Sequence, residues 1–273
     1  MRSWSFLLSR RWLGFALVVV LLATLAWWLG EWQFGRLEQR KERNHVFAGN
    51  VHADPVAVTD VLNTRSGPPA SAEWMRVEAT GTYAPEDTVI VRYQTRKSTS
   101  GVDLVVPFRL SDGTTLLVDR GWLLTRNDAT EKLDLPDPPA GEVTIVGWVR
   151  ADGTGGSTRV SASADSGFTT RAVSSVRIGA ALDRPTLRGW VHLDTESPEA
   201  ADNPLLKVEL PDPGNGPHFF YGLQWWFFGL LAVGGFAYLA YDEWRGATAG
   251  RQPKATAGRQ RSKRTTPKGP ARR

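Results

Sequence analysis

The stretch WLGFALVVVLLATLAWWLG, Trp12–Gly30, runs for 19 residues without a charge. A helix rises about 1.5 Å per residue, so this run matches the roughly 20 residues that carry a chain across a hydrocarbon core. A second run, FFYGLQWWFFGLLAVGGFAYLAY at Phe219–Tyr241, is uncharged for 23 residues. Helices of soluble cores rarely reach that length without one charge. The two runs therefore predict transmembrane helices over 12–30 and 218–241, and the remaining chain is read around them. Arg2, Arg10 and Arg11 precede the first run, as in a signal peptide. However, the apolar stretch is too long for one, and the Trp-rich sequence Trp27–Trp32 offers no small-residue cleavage site. An uncleaved anchor is expected.

Charge is segregated about these spans. Residues 1–11 hold three arginines and no acid, residues 31–217 hold 20 basic and 26 acidic residues, and residues 244–273 hold 10 basic residues and no acid. Positive flanks stay in the cytoplasm. The expected layout is a cytoplasmic N-terminus at 1–11, an extracytoplasmic domain at 31–217 and a cytoplasmic tail at 242–273, a multi-pass protein with both termini inside. The formal net charge of +5 then belongs to the tail, and no nucleic-acid partner is expected. The tail repeats Ala-Thr-Ala-Gly-Arg-Gln at 247–252 and 255–260 and has almost no large apolar residue. Such a composition predicts disorder, with attraction to anionic lipid.

Between the spans the periodicity changes. Residues 36–46 keep a helical pattern and extend the first helix. A Pro- and Gly-containing stretch near 54–72 ends it. Alternation then marks strands at 77–83, 88–93, 102–110, 114–124 and 142–149, with Ser111-Asp112-Gly113 as a hairpin turn. Weaker strands are read at 189–193 and 206–210, a mobile Gly/Ser/Thr loop at 151–167, and a short helix within 172–182. The expected fold is two transmembrane α-helices flanking an extracytoplasmic, mainly-β α+β domain, built as an antiparallel barrel or sandwich.

Chemistry is sparse. The chain has no cysteine, which excludes disulfides and thiolate metal sites. It has no Gly-x-Ser-x-Gly elbow, His-Glu-x-x-His helix or phosphate-binding Gly-rich loop followed by Lys. The four histidines, His45, His52, His192 and His218, lack metal-ligand spacing to one another. An enzyme is not expected. His218 is the informative one. It opens the second span after Pro217, and Tyr221, Gly222 and Trp225 fall on its helical face at +3, +4 and +7. A neutral imidazole above a glycine gap and flat aromatics is a workable seat for a haem, with iron as the only metal. An interfacial histidine among belt aromatics is the alternative, and it needs no ligand.

A set of motifs runs in order along the chain: Leu29-Gly30-x-Trp32-Gln33-x-x-Arg36, Gly81-Thr82-Tyr83, Val105-Val106-Pro107-Phe108-Arg109-Leu110, Asp112-Gly113, Leu117-Val118-Asp119-Arg120-Gly121-Trp122, and Pro217-His218-Phe219-Phe220-Tyr221-Gly222-Leu223-Gln224-Trp225. Taken together they resemble the Surfeit-locus family of cytochrome c oxidase assembly proteins. The likeness runs from about residue 10 to 244. It departs at Arg40, where a lysine is usual, and at Asp119, where asparagine is usual; the basic tail is not part of the pattern. The resemblance implies a non-enzymatic helper in building the terminal oxidase. It implies His218 as axial ligand of haem a, which is delivered to oxidase subunit I with haem a synthesis or assembly proteins and the lipid bilayer as partners. Trp32 and Gln33 leave the first span at the same depth and are candidate neighbours of that seat, or plain interfacial anchors. Arg120 is a weaker candidate, as a contact to a haem propionate, against an ordinary salt-bridge or stacking role. A non-haem scaffold and an extracytoplasmic sensor are the other readings. The lack of an Arg- and Ser-rich leader ahead of Trp12 points to a bacterial plasma membrane.

Overall fold

The computed structural model describes residues 5–125, 133–163 and 167–249. They fall into two units. A β unit spans Arg36–Gly216, and a helical unit is formed by the residues up to Gly35 and from Pro217 onward.

The helical unit contains most of helix α1, Arg10–Asn50, and helix α4, His218–Ala249. Both are long and apolar enough to cross a membrane. Away from the seam between them their apolar residues face outward: Leu17 and Val20 are each 60% exposed and Leu230 68%. Such a surface has no stable place in water but matches lipid. Along the membrane-length part of α1, Trp12, Ala16, Val19, Ala23, Ala26, Gly30 and Gln33, alternating four and three apart, are buried or half-buried, with Leu29 and Phe34 half-buried beside them. That spacing is the seam of a left-handed helix pair. Small residues bring the two backbones close. A Cβ placed on Gly229 would lie 3.4 Å from the Ala26 Cβ, and one on Gly30 would lie 2.3 Å from the Trp226 ring.

The β unit begins with the last turns of α1. Phe47 and Val51 pack on Trp74 and Trp148, and the Trp148 indole donates to the Val51 carbonyl at 3.1 Å. The helix ends where the Asn50 amide turns to the carbonyls of Ser71 and Glu73. After it come strand β1 (Val56–Ala57), the short helix α2 (Val58–Val61), and strands β2 (Arg76–Tyr83), β3 (Val89–Arg96), β4 (Thr99–Leu110), β5 (Thr115–Leu124), β6 (Val143–Arg150), β7 (Ser161–Ser163) and β8 (Gly167–Thr170). Helix α3 (Ser175–Leu182) and strand β9 (Trp190–Ser197) complete the unit.

Strands β2, β6, β9, β5 and β4 follow one another laterally, and β4 pairs back on β2, so five strands close into a barrel. Closure brings β2 against the β4 backbone at Gly81, where a Cβ would lie 2.2 Å from the Arg109 carbonyl oxygen. Alternation sends Val77, Ala79, Val106, Phe108, Leu116, Val118, Val143, Ile145, Val191 and Leu193 into the interior. The opposite face carries Val89, Val91, Val105 and Leu117, which α3 covers with Ile178. The Asp152 carboxylate starts α3 by accepting from the Ser175 amide at 2.9 Å and the Ser175 hydroxyl at 2.8 Å.

Three expectations need correction. The sheet is not purely antiparallel: β1–β2, β3–β8 and β5–β9 pair in parallel. Residues 206–210 form no strand. Leu206 makes one bridge to Trp122, and its carbonyl and that of Lys207 then accept from Arg96 at 3.1 and 2.7 Å. Prolines at 204 and 211 bracket the segment and remove ladder donors. The stretch read as a loop at 151–167 contains a short turn of helix at Gly156–Thr158 and strand β7, which pairs with β8. The tail beyond residue 249 lies outside the described residues.

Candidate functional site

His218 is the first residue of α4, and its ring is half-buried. Its Nδ1 lies 2.9 Å from Oε1 of Gln33, which sits on the seam of α1. Of the residues singled out by sequence, His218 and Gln33 are brought together here. Gly222 does leave a gap one turn along, but the ring of Phe34 fills it: a Cβ on Gly222 would lie 2.7 Å from Phe34 Cζ. The gap is an interhelical packing site rather than an open seat for a macrocycle. Tyr221 and Trp32 are each 47% exposed on the flank of the pair. Trp225 is half-buried and meets Phe228 edge-on, its ring centroid 5.9 Å away.

The next residue, Trp226, joins the helices, as Phe219 does at Phe34 and Phe236 at Trp12 and Phe15. Trp226 stacks on Trp27 at 5.1 Å with 8° between the planes, touches Phe34 at 4.9 Å, and lies against Gly30. Sequence reasoning missed Phe34, Trp27 and Trp226. The four-three spacing along α1 was the available signal, because it places Gly30 and Gln33 on one seam and so predicts a large partner opposite Gly30. What this end of the pair offers chemically is one imidazole held at Nδ1 by a neutral amide, beside flat apolar rings. An imidazole nitrogen is a donor of the type that haem iron takes, and exposed aromatic rings are apolar surface of the type a macrocycle covers. The Gly222 cleft is not such a surface.

Arg120 lies in the β unit and is 2% exposed. Its guanidinium pairs with Glu196 at 3.2 Å and donates to the Pro136 carbonyl, also at 3.2 Å. The Tyr83 hydroxyl donates to the other Glu196 oxygen at 2.9 Å, and the guanidinium lies over the Tyr83 ring. Burial, and then the adjacent Glu196 carboxylate, push the Tyr83 phenol well above its usual range. The guanidinium is thus sealed in and already paired, the salt-bridge and stacking arrangement rather than one open to a ligand.

A second polar group lies on the outer face of the same strands. His192 Nδ1 is 2.8 Å from Asp119, and the imidazole stacks on Trp74 at 5.8 Å and meets Trp190 edge-on at 4.5 Å. Asp103 pairs with Arg96 at 3.0 Å. Burial, together with the nearby Asp119 carboxylate, pushes the Asp103 carboxyl up to about 7 against the opposing pull of Arg96. Among the described residues, no cluster of three or more His, Asp or Glu side chains is placed to hold a metal ion.

Comparison with known proteins agrees with the architecture. Residues 20–230 match the SURF1 family. Uncharacterized SURF1-like proteins of Mycobacterium bovis and Mycobacterium tuberculosis are each 32% identical over 245 residues, covering 88% of this chain and 88% of theirs. A SURF1-like protein of Rickettsia felis is 29% identical over 114 residues, covering 41% of this chain and 47% of its own. With two apolar helices flanking a closed β-barrel and a match across most of its length, the chain belongs to the SURF1 family, an assembly-factor family generally linked to cytochrome c oxidase.

Proposed function

We propose that this protein is a non-enzymatic assembly factor that carries haem a on His218 and aids its insertion into subunit I of cytochrome c oxidase. The observation that carries the reading is the fixed imidazole of His218 at the head of an apolar helix pair, in a chain of this family. Haem iron supplies a coordination position for an imidazole nitrogen. His218 would occupy it, and Tyr221, Trp225 and Trp32 would offer apolar surface to the ring, with water kept back by the surrounding lipid. In this reading the protein sits in a bacterial plasma membrane with the β unit outside the cytoplasm. Its partners are subunit I, the proteins that make or deliver haem a, and the bilayer.

The test is to purify the full chain from cells that make haem a and record its optical spectrum. A haem a spectrum is expected, lost together with efficient oxidase assembly in His218→Ala. Unchanged haem content and assembly in that variant would overturn the ligand role. The filling of the Gly222 cleft by Phe34 favours a second reading, a scaffold that holds oxidase components without haem. Under it, His218→Ala is silent, and exchange of surface residues on the β unit abolishes co-purification with the oxidase.

A further inference from the structure

We infer that Gln33 is a positioning residue that fixes the tautomer of His218 and sets how strongly that histidine holds its ligand; the inference rests on the haem-ligand reading. A neutral imidazole has one N–H and one lone pair. Oε1 of an amide can only accept, so a hydrogen bond across the 2.9 Å contact is made by the form that carries its proton on Nδ1. The lone pair is then on Nε2, the nitrogen at the far side of the ring from Gln33. Both side chains are half-buried at the edge of the apolar pair, where water competes weakly for the bond. Without Gln33 the ring is free to turn and to exchange tautomers, and the ligating nitrogen is available only part of the time.

The chemistry of the acceptor matters as much as its position. A hydrogen bond from the distal N–H makes the ligating nitrogen more basic, and a carboxylate acceptor does so more than an amide. An amide leaves the imidazole a donor of moderate strength. That suits a group that is held and then released to another protein, whereas a carboxylate would favour retention.

The experiment has two arms. In the first, the full chain with labelled histidine is placed in lipid nanodiscs without haem, and the nitrogen resonances of His218 are assigned. The Nδ1–H form is expected to dominate in the wild type and to lose that dominance in Gln33→Leu. In the second arm, haem a is added. Gln33→Leu is expected to bind about 10-fold or more weakly, in line with the loss of a partner behind a ligating histidine. Gln33→Glu is expected to retain binding, with the reduction potential of the bound haem lowered. The inference is overturned by an Nε2–H form in the wild type, or by Gln33→Leu with unchanged tautomer and affinity. Equal potentials in Gln33→Glu and the wild type would overturn the tuning role. If the Nδ1–H form is found but the wild type binds no haem a, the ligand reading fails and takes the haem role of Gln33 with it. If haem a binds through His218 and the tautomer is the wrong one, only the role of Gln33 fails.

Discussion

Arg120 shows what a single side chain costs when it is placed inside a barrel. Its guanidinium and the Glu196 carboxylate are almost fully withdrawn from solvent, with side-chain exposures of 1% and 5%. Desolvation of both charges offsets most of their attraction, so the pair adds little net stability. Removing one partner is a different matter, because the other is left buried and charged. Arg120→Met is expected to destabilise the β unit by about 3–5 kcal/mol in denaturant unfolding of the full chain. Adding Glu196→Leu to that variant should restore most of the loss but not all, since the Tyr83 hydroxyl then lacks its acceptor, at a cost of about 1–3 kcal/mol. A double variant no more stable than Arg120→Met alone would contradict this account. The partnership was not legible in the sequence. Glu196 lies 76 residues from Arg120. It also points inward only because β9 carries an extra residue near Asp194, where pairing jumps from Leu193 opposite Gly147 to Thr195 opposite Val146. One bulge reverses the alternation on which inward and outward are read.

At the scale of elements, the helix pair can be tested with the chemistry the chain lacks. It has no cysteine, so two introduced thiols report without background. A Cβ on Gly229 would stand 3.4 Å from that of Ala26, at the short edge of the range for a disulfide. Ala26→Cys with Gly229→Cys is expected to form an intramolecular bridge under mild oxidation, read as loss of both maleimide-reactive thiols. The pairing of Gly14→Cys with Gly229→Cys should leave both thiols reactive, because no side chain approaches Gly14 within 4 Å. Free thiols in both double variants would mean that the helices do not meet along this seam. These helices were legible as runs without charge, and the β4–β5 hairpin was legible from its turn. There the Asp112 carboxylate accepts from the Thr114 amide at 2.8 Å, a bond set by residues two apart. Local signals of that kind survive in a sequence. The parallel β5–β9 pairing does not, because its partners are joined through β6, α3 and the segments between, and nothing near either strand records the choice. In the same way, His218 was legible from its place at the head of an apolar helix, whereas Phe34 in the Gly222 cleft depends on which face of α1 turns toward α4.

At the scale of the whole molecule, the proposed placement of the β unit outside the cytoplasm rests on charge beside the spans rather than on the unit itself. A long intervening segment crosses the membrane largely regardless of its own charge, so its 20 basic and 26 acidic residues carry little weight. The deciding groups are Arg2, Arg10 and Arg11 before the first span and the 10 basic residues of 244–273 after the second. Both sets ask for the same side, and two spans can satisfy both. Single cysteines test the result. Glu199 is exposed in the β unit and Ser262 lies in the tail. With a membrane-impermeant maleimide on intact spheroplasts, Glu199→Cys is expected to label at once and Ser262→Cys only after permeabilisation. Replacing Arg2, Arg10 and Arg11 with glutamine should leave the pattern largely intact, because the tail still opposes translocation of the C-terminus. Labelling of Ser262→Cys alone would place the β unit in the cytoplasm. The His218 end of the helix pair would then face the cytoplasm too, and a haem carried there would reach subunit I from the opposite face of the membrane.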